Sequence, residues 1–199
     1  MAALGSIQIS RRLLYSIGAG LAVLSITVMA GEARAGQHPH ARDGWHAGIG
    51  IGGGSAGITG NGSSSDREMG TAGSVRGGYV INPKFGLGLE ANMWFKTIDG
   101  VDWTFSTYTL AASFYPSEGL LLRAGVGGGD AEAAFDTGPS TLTVSQNGFG
   151  VTGGVGYEIR LGRGWALVPQ IDASYIGMKD FDVNYVNVGV AFHWYQVSR

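Results

Sequence analysis

The sequence predicts an all-β protein, an eight-stranded antiparallel up-and-down transmembrane β-barrel, and three observations carry that prediction. Eight segments alternate apolar with small or polar residues. Short turns and longer connections follow one another between them. The face opposite the apolar one is built largely from glycine. A strand sends successive side chains to opposite faces, so a period of two splits each segment into two surfaces. In the segment from Phe85 to Phe95, the residues Phe85, Leu87, Leu89, Ala91, Met93 and Phe95 share one surface. Gly86, Gly88, Glu90 and Asn92 share the other. Glycine makes a poor solvent face but fits the crowded lumen of a small closed barrel. The apolar surface therefore faces lipid and the polar one faces inward.

The chain opens with Arg11 and Arg12, an apolar run from Leu13 to Ala30, and Ala33-Arg34-Ala35. A positive region, an apolar run and a small-x-small site together make a secretory signal peptide, residues 1–35, with export as its consequence. An uncleaved anchor helix is the alternative. Residues 36–44 read as a short periplasmic tail, and residues 45–199 as one barrel domain that ends the chain.

The strands follow in order. Strand one, Trp45 to Gly53, turns Trp45, Ala47, Ile49 and Ile51 outward and His46 inward. Strand two, about Ala72 to Ile81, turns Val75, Tyr79 and Ile81 outward and Ser74 and Arg76 inward. Strand three is the Phe85–Phe95 segment. Strand four, about Thr104 to Tyr115, turns Tyr108, Leu110, Ala112 and Phe114 outward. Strand five, Leu120 to Gly128, turns Leu120, Leu122, Ala124 and Val126 outward and Arg123 inward. Strand six, Gly148 to Ile159, turns Phe149, Val151, Val155, Tyr157 and Ile159 outward. Strand seven, Trp165 to Ile176, turns Leu167, Ile171, Ala173 and Tyr175 outward and Gln170, Asp172 and Ser174 inward. Strand eight, Val183 to Tyr195, turns Val186, Val188, Val190, Phe192 and Trp194 outward. Pro169 cannot donate to a ladder, so a bulge or a register shift is expected there.

The connections at 82–84, 116–119 and 160–164 are short and rich in turn residues. Those at 55–71, 96–103, 129–147 and 177–182 are longer. Short periplasmic turns, long external loops and an even strand number are the pattern of bacterial outer-membrane barrels. Aromatics near strand ends (Trp45, Phe85, Phe95, Tyr108, Phe114, Tyr157, Trp165, Tyr175, Trp194) supply two interfacial girdles.

Composition agrees. Cysteine is absent, so neither a disulfide nor a thiolate metal site is available. Charged residues make up 14 %, and glycine accounts for 36 of 199 residues without a collagen period. Loss of residues 1–35 removes three arginines and one glutamate, taking the formal charge from −2 to −4. No basic footprint for nucleic acid is present.

On this pattern, over about Gly44 to Tyr195, the chain resembles the eight-stranded outer-membrane barrel families: the OmpA-type transmembrane domain, the opacity-protein group and the Ail/Lom-like proteins. The resemblance implies a Gram-negative outer membrane, contact with its lipids and lipopolysaccharide, and delivery by the barrel-assembly machinery. Such families usually end on an outward aromatic. Here Phe192 and Trp194 keep that spacing, but Gln196-Val197-Ser198-Arg199 follow.

The inward charges Arg76, Glu90, Arg123, Glu158 and Asp172 form a lumen polar network, structural or gating. Buried charges must be paired. Arg76 and Glu90 become direct cross-strand partners. Arg123 and Glu158 lie at similar heights, with Asp172 higher on strand seven. Barrels resembling lipid A deacylases carry His-x-Ser, whereas here His46 precedes Ala47-Gly48 and His193 precedes Trp194-Tyr195. No enzyme, cofactor or metal site is expected. His38 and His40 are two ligands without a third. The external connections are acidic, with Asp66, Glu68, Asp99, Asp102, Asp130, Glu132, Asp136, Asp180 and Asp182 against Arg67, Lys96 and Lys179. With Phe135 and Leu142 in the third loop, they are the candidate recognition surface for a host or phage partner. The expected role is non-enzymatic, envelope-structural or surface-recognition. A narrow channel and a lipid-modifying enzyme are the alternatives. A soluble lipocalin-like barrel is the fold rival, and it requires Leu87, Leu89, Leu122 and Val190 to point inward.

Overall fold

The computed structural model describes residue 42 and residues 44–60, 63–136 and 141–196. The signal-peptide reading and the tail histidines His38 and His40 lie outside the described residues. Eight long strands make the fold: β1 Gly44–Gly60, β2 Glu68–Asn82, β3 Phe85–Ile98, β4 Val101–Phe114, β5 Leu120–Asp136, β6 Thr141–Tyr157, β7 Trp165–Gly177 and β8 Asp182–Tyr195. Two-residue pieces, Ser63–Ser64 and Ile159–Arg160, pair with β1 and β7. Each long strand pairs antiparallel with the next, and β8 pairs with β1, which closes the barrel.

The register fixes the barrel's shape. One circuit of cross-strand partners runs His46, Gly78, Gly88, Ala111, Gly125, Thr152, Ser174, Tyr185 and back to β1 at Ala56. The return point is ten residues on, since 56 − 46 = 10. Ten steps of about 3.3 Å against eight strand spacings of about 4.8 Å give a strand tilt of about 41°. Each residue then climbs about 2.5 Å along the barrel axis.

The faces fall as the alternation requires. Ile51 is 73 % exposed and Leu89 70 %, whereas Arg76, Glu90, Asn92, Arg123 and Asp172 are buried. Leu87, Leu122 and Val190 also point outward, which overturns the soluble rival. Six of the outward aromatics, Trp45, Phe85, Phe114, Tyr157, Trp165 and Trp194, lie at the periplasmic ends of their strands. Trp165 to Tyr175 and Phe85 to Phe95 each span ten residues, about 25 Å of height, the thickness of a lipid-facing band. Tyr108 is six residues up from Phe114 and sits inside that band, short of the outer girdle.

The strands outrun their predicted ends, and this corrects the long-loop reading. Residues 96–103 hold a two-residue turn, because Ile98 pairs with Val101. Asp99 and Gly100 between them have φ of 51° and 78°. Asp-Gly with both angles positive is the tight hairpin turn that matches strand twist. The 129–147 segment is mostly ladder, running out to Asp136 opposite Thr141. The 55–71 segment keeps strand to Gly60 and resumes it at Glu68. Arg67 braces it, donating to Ser55 O at 2.5 Å and Ser55 Oγ at 2.8 Å.

The predicted fault at Pro169 takes a different form. Val190 opposes Pro169 with no register shift. On the other side the β6 ladder stops at Gly156 opposite Gln170 and resumes at Ile159 opposite Leu167. The sums 156 + 170 and 159 + 167 are equal, so the ladder is interrupted and not displaced. Glu158 N donates instead to Gly119 O at 2.7 Å.

Candidate functional site

The lumen is filled in layers. At the periplasmic end Tyr115, Leu121, Ala166, Val168 and Ala191 cluster. Beside them Glu158 takes a hydrogen bond from Arg42 Nε at 2.9 Å and an ion pair from Arg42 Nη2 at 2.8 Å. Arg160 reaches the same carboxylate at 3.2 Å, and Tyr195 donates its hydroxyl to it. The two guanidiniums lie over aromatic faces, Arg42 at 4.0 Å from the Tyr115 ring centre and Arg160 at 4.5 Å from that of Tyr195.

A charged layer lies above. Register places Arg76 opposite Glu90, with Arg76 Nη2 at 3.7 Å and Arg123 Nε at 3.3 Å from the Glu90 carboxylate. Arg123 also pairs with Asp172. Gln170 ties the layer together, accepting from Arg76 at 2.9 Å and donating to Asp172 at 2.8 Å and Ser74 at 3.2 Å. Two arginines against two acids leave it neutral, the condition for burying charge. His193 Nε2 lies 3.2 Å from Arg76 Nη1, and His46 stacks on Tyr195.

Two glycines make room for this layer. Arg123, Gly154 and Asp172 share one row, with β6 between the ion-pair partners. A Cβ at Gly154 would fall on the Asp172 carboxylate and lie 2.8 Å from the Arg123 guanidinium. A Cβ at Gly48 would lie 2.5 Å from the His193 ring.

Higher still, Tyr185 donates to Asn92 O at 2.8 Å and meets Thr107 Oγ1 at 3.0 Å. An aromatic layer follows, with Trp94 stacked on Phe105 at 5.2 Å and packed with Ile176, Val183 and Tyr185. Ile58, Trp103, Met178 and Phe181 close over it.

Of the five predicted lumen charges, Arg76, Glu90, Arg123 and Asp172 come together. Glu158 does not join them. It lies four residues beyond Gly154, the β6 partner of Arg123, toward the periplasmic end, and Arg42 and Arg160 neutralise it. Asp172 shares the Arg123 row two strands further on, and because rows climb in that direction it stands higher along the barrel axis. Arg42 went unrecognised because one arginine in a polar tail carries no periodicity. Trp94 was legible, since it continues the inward phase of Glu90 and Asn92.

The external end holds the other candidates. Only Asp66, Asp99 and Asp180 lie in connections. Glu68, Asp102, Asp130, Phe135, Asp136 and Asp182 lie on strands. Glu68 pairs with Lys96, Asp102 accepts from Thr97 at 2.5 Å, and Asp180 accepts from Gln146 at 3.2 Å. Asp130 and Glu132 continue the outward face of Leu122, Ala124 and Val126, so on β5 that face turns from apolar to acidic about 25 Å above Leu120. The inward face inverts as well. Ile98, Val101, Phe135 and Leu142 make one cross-strand row, and Trp103, Ala133 and Val144 lie in the next. Below this level the outward face is built for lipid, and above it the sheet turns acids outward and apolar residues inward.

The family model described as Outer membrane protein beta-barrel domain matches residues 17–193. No curated protein matches the chain. Among solved structures it is similar to Ail, the attachment invasion locus protein of Yersinia pestis. Identity is 16 %, with 76 % of this chain and 99 % of that one covered, at a TM-score of 0.57. Ail has also been solved with the heparin analogue sucrose octasulfate (17 % identity, 76 % and 99 % covered, TM-score 0.54). Neisserial surface protein A is similar at 17 % identity and a TM-score of 0.55, with 78 % and 99 % covered. The closed register, the lipid-facing band and the match over residues 17–193 agree: the chain belongs to the outer membrane protein beta-barrel domain family, and its place is the Gram-negative outer membrane.

Proposed function

We propose that this protein is a non-enzymatic surface-recognition barrel, exported by a cleaved peptide of residues 1–35, whose working part is its external end. One observation carries the reading: the lumen is occupied from the Tyr115 and Leu121 cluster to the Trp94 and Phe105 stack. A wall filled in this way offers no path for a solute and no cleft for a reacting lipid, so its chemistry is presented outside. The strands there continue past the lipid band as a β platform. Its acidic rim favours basic partners, and divalent cations that bridge to lipopolysaccharide phosphates. The heparin analogue seen on Ail is a polyanion, which this rim would repel.

The test shortens the platform. Asp130 and Asn147 are opposed, so replacing residues 131–146 by Asn-Gly closes the hairpin with a two-residue turn. The variant should keep its heat-shifted band on gels and lose adhesion of expressing cells to protein-coated surfaces. Stepwise conductance of the intact protein in planar bilayers, or unchanged adhesion of the variant, would refute the reading. Amino-terminal sequencing of the mature protein should begin at Gly36.

A further inference from the structure

Above the charged layer the lumen keeps a small space against the wall of β1, β2 and β8. It is a cavity of about 10 Å³, lined by Gly50, Gly52, Ala72, Ser74, Gln170 and Gly189. That is the room a single water molecule needs, and too little for a larger solute.

Three buried polar groups beside it each have a bond left to make. Asn92 Nδ2 donates to the Glu90 carboxylate at 2.7 Å, and Asn187 Nδ2 donates to Met93 O at 3.4 Å. A carboxylate and a backbone carbonyl only accept, so each amide has its nitrogen end fixed. The oxygens that remain, Asn92 Oδ1 and Asn187 Oδ1, are buried and have no donor among the described residues. Ser74 Oγ takes hydrogen bonds from Arg76 Nη2 at 3.3 Å and from Gln170 Nε2 at 3.2 Å. Its lone pairs are then used, and its own hydrogen has no acceptor among the described residues.

The register brings these groups to one level. Rows climb about 3 Å per strand, because a circuit of eight strands gains ten residues of about 2.5 Å each. Ser74 and Asn92 lie one and two strands along the row of Gly50, so Asn92 stands about 6 Å above Gly50. Asn187 lies one strand before Gly54, which is four residues up from Gly50, so it stands about 7 Å above Gly50. A Cβ at Gly54 would fall on Asn187 Oδ1; the glycine gives that oxygen its place.

We propose that this cavity binds one water molecule, which accepts from Ser74 Oγ and donates to Asn92 Oδ1 and Asn187 Oδ1. Three hydrogen bonds are the usual complement of a buried water. Their directions agree around a closed ring. Arg76 donates to Ser74, Ser74 to the water, and the water to Asn92, which donates to Glu90, and Glu90 pairs back with Arg76. The second hydrogen of the water ties the ring to β8. A cation does not suit the same groups. It cannot accept the Ser74 hydrogen, and the Arg76 guanidinium behind Ser74 repels it. The water belongs to the charged layer and leaves the lumen closed to solutes.

The test is cross-relaxation between water and protein, measured by NMR on the nitrogen-15-labelled protein in nanodiscs. Cross-peaks from water to the side-chain amides of Asn92 and Asn187 are expected, of opposite sign in the laboratory and rotating frames, which separates a bound water from hydrogen exchange. Absence of both overturns the proposal, and that measurement needs no variant. Ala72→Val adds two methyl groups to the cavity and should abolish both cross-peaks, with the heat-shifted band retained. Ser74 keeps its hydroxyl in that variant, so persistent cross-peaks would trace to the hydroxyl and overturn the site. The urea midpoint of the unaltered protein should be the same in sodium, potassium and choline chloride at equal ionic strength. A midpoint raised by sodium or potassium over choline would make this a cation site and overturn the water.

Discussion

Glu90 faces two guanidiniums, Arg76 and Arg123, in a layer that is neutral only while both acids are ionised. Glu90→Gln leaves one buried positive charge in excess. The expected loss is about 3–5 kcal/mol, the cost of breaking a buried pair from one side, read by urea unfolding in lipid vesicles. Wild-type stability in that variant would mean the lumen is wet enough to screen its charges. Adjacent glycines give a sharper contrast. Gly154 is the slot through which Arg123 meets Asp172, while an added Cβ at Gly153 finds nothing nearer than Arg123 O at 3.9 Å. Gly154→Val should cost about 1–3 kcal/mol by overpacking, and Gly153→Val should leave the urea midpoint unchanged. Composition shows that glycine is abundant, but only the register shows which glycine a cross-lumen ion pair needs.

At the scale of elements, the segment before β1 acts as a latch on the periplasmic mouth. Arg42 is buried against Tyr115 and Glu158, and the mouth is sewn beside it by Gln196 N donating to Trp45 O at 2.8 Å. Arg42→Ala removes charged hydrogen bonds worth about 1.5–3 kcal/mol, which urea unfolding measures. Faster hydrogen exchange should appear at the β1 and β8 ends and not at β4 or β5. Even exchange across the barrel would remove the latch from the account. The strands themselves were legible because the period of two persists through every lipid-facing stretch, and Arg76 opposite Glu90 followed from it. Their upper ends were not. Past Val126 the outward face becomes glycine and acids, so Asp130 and Glu132 look like loop residues although the ladder continues through them. Glu158 was misplaced for a related reason. It follows Tyr157 in phase, but Pro169 opens the ladder there and its backbone turns to Gly119.

For the whole molecule, the inversion of polarity along the strands sets the depth of the barrel in the membrane. Leu89 is four residues above Phe85, about 10 Å up a band of about 25 Å. Ala134 on β5 is fourteen residues above Leu120, about 35 Å by the same rise and clear of the hydrocarbon. Both residues belong to outward faces, so exposure alone does not separate them; only the surrounding solvent does. Leu89→Arg should cost about 2–4 kcal/mol near the bilayer midplane, and Ala134→Arg about 0–1 kcal/mol. Folding into vesicles of defined thickness measures both. Thinner lipid should reduce the first penalty and leave the second alone. Equal penalties at the two sites would mean the lipid boundary does not fall between Val126 and Asp130. The platform would then be part of the embedded wall and face acyl chains instead of the medium.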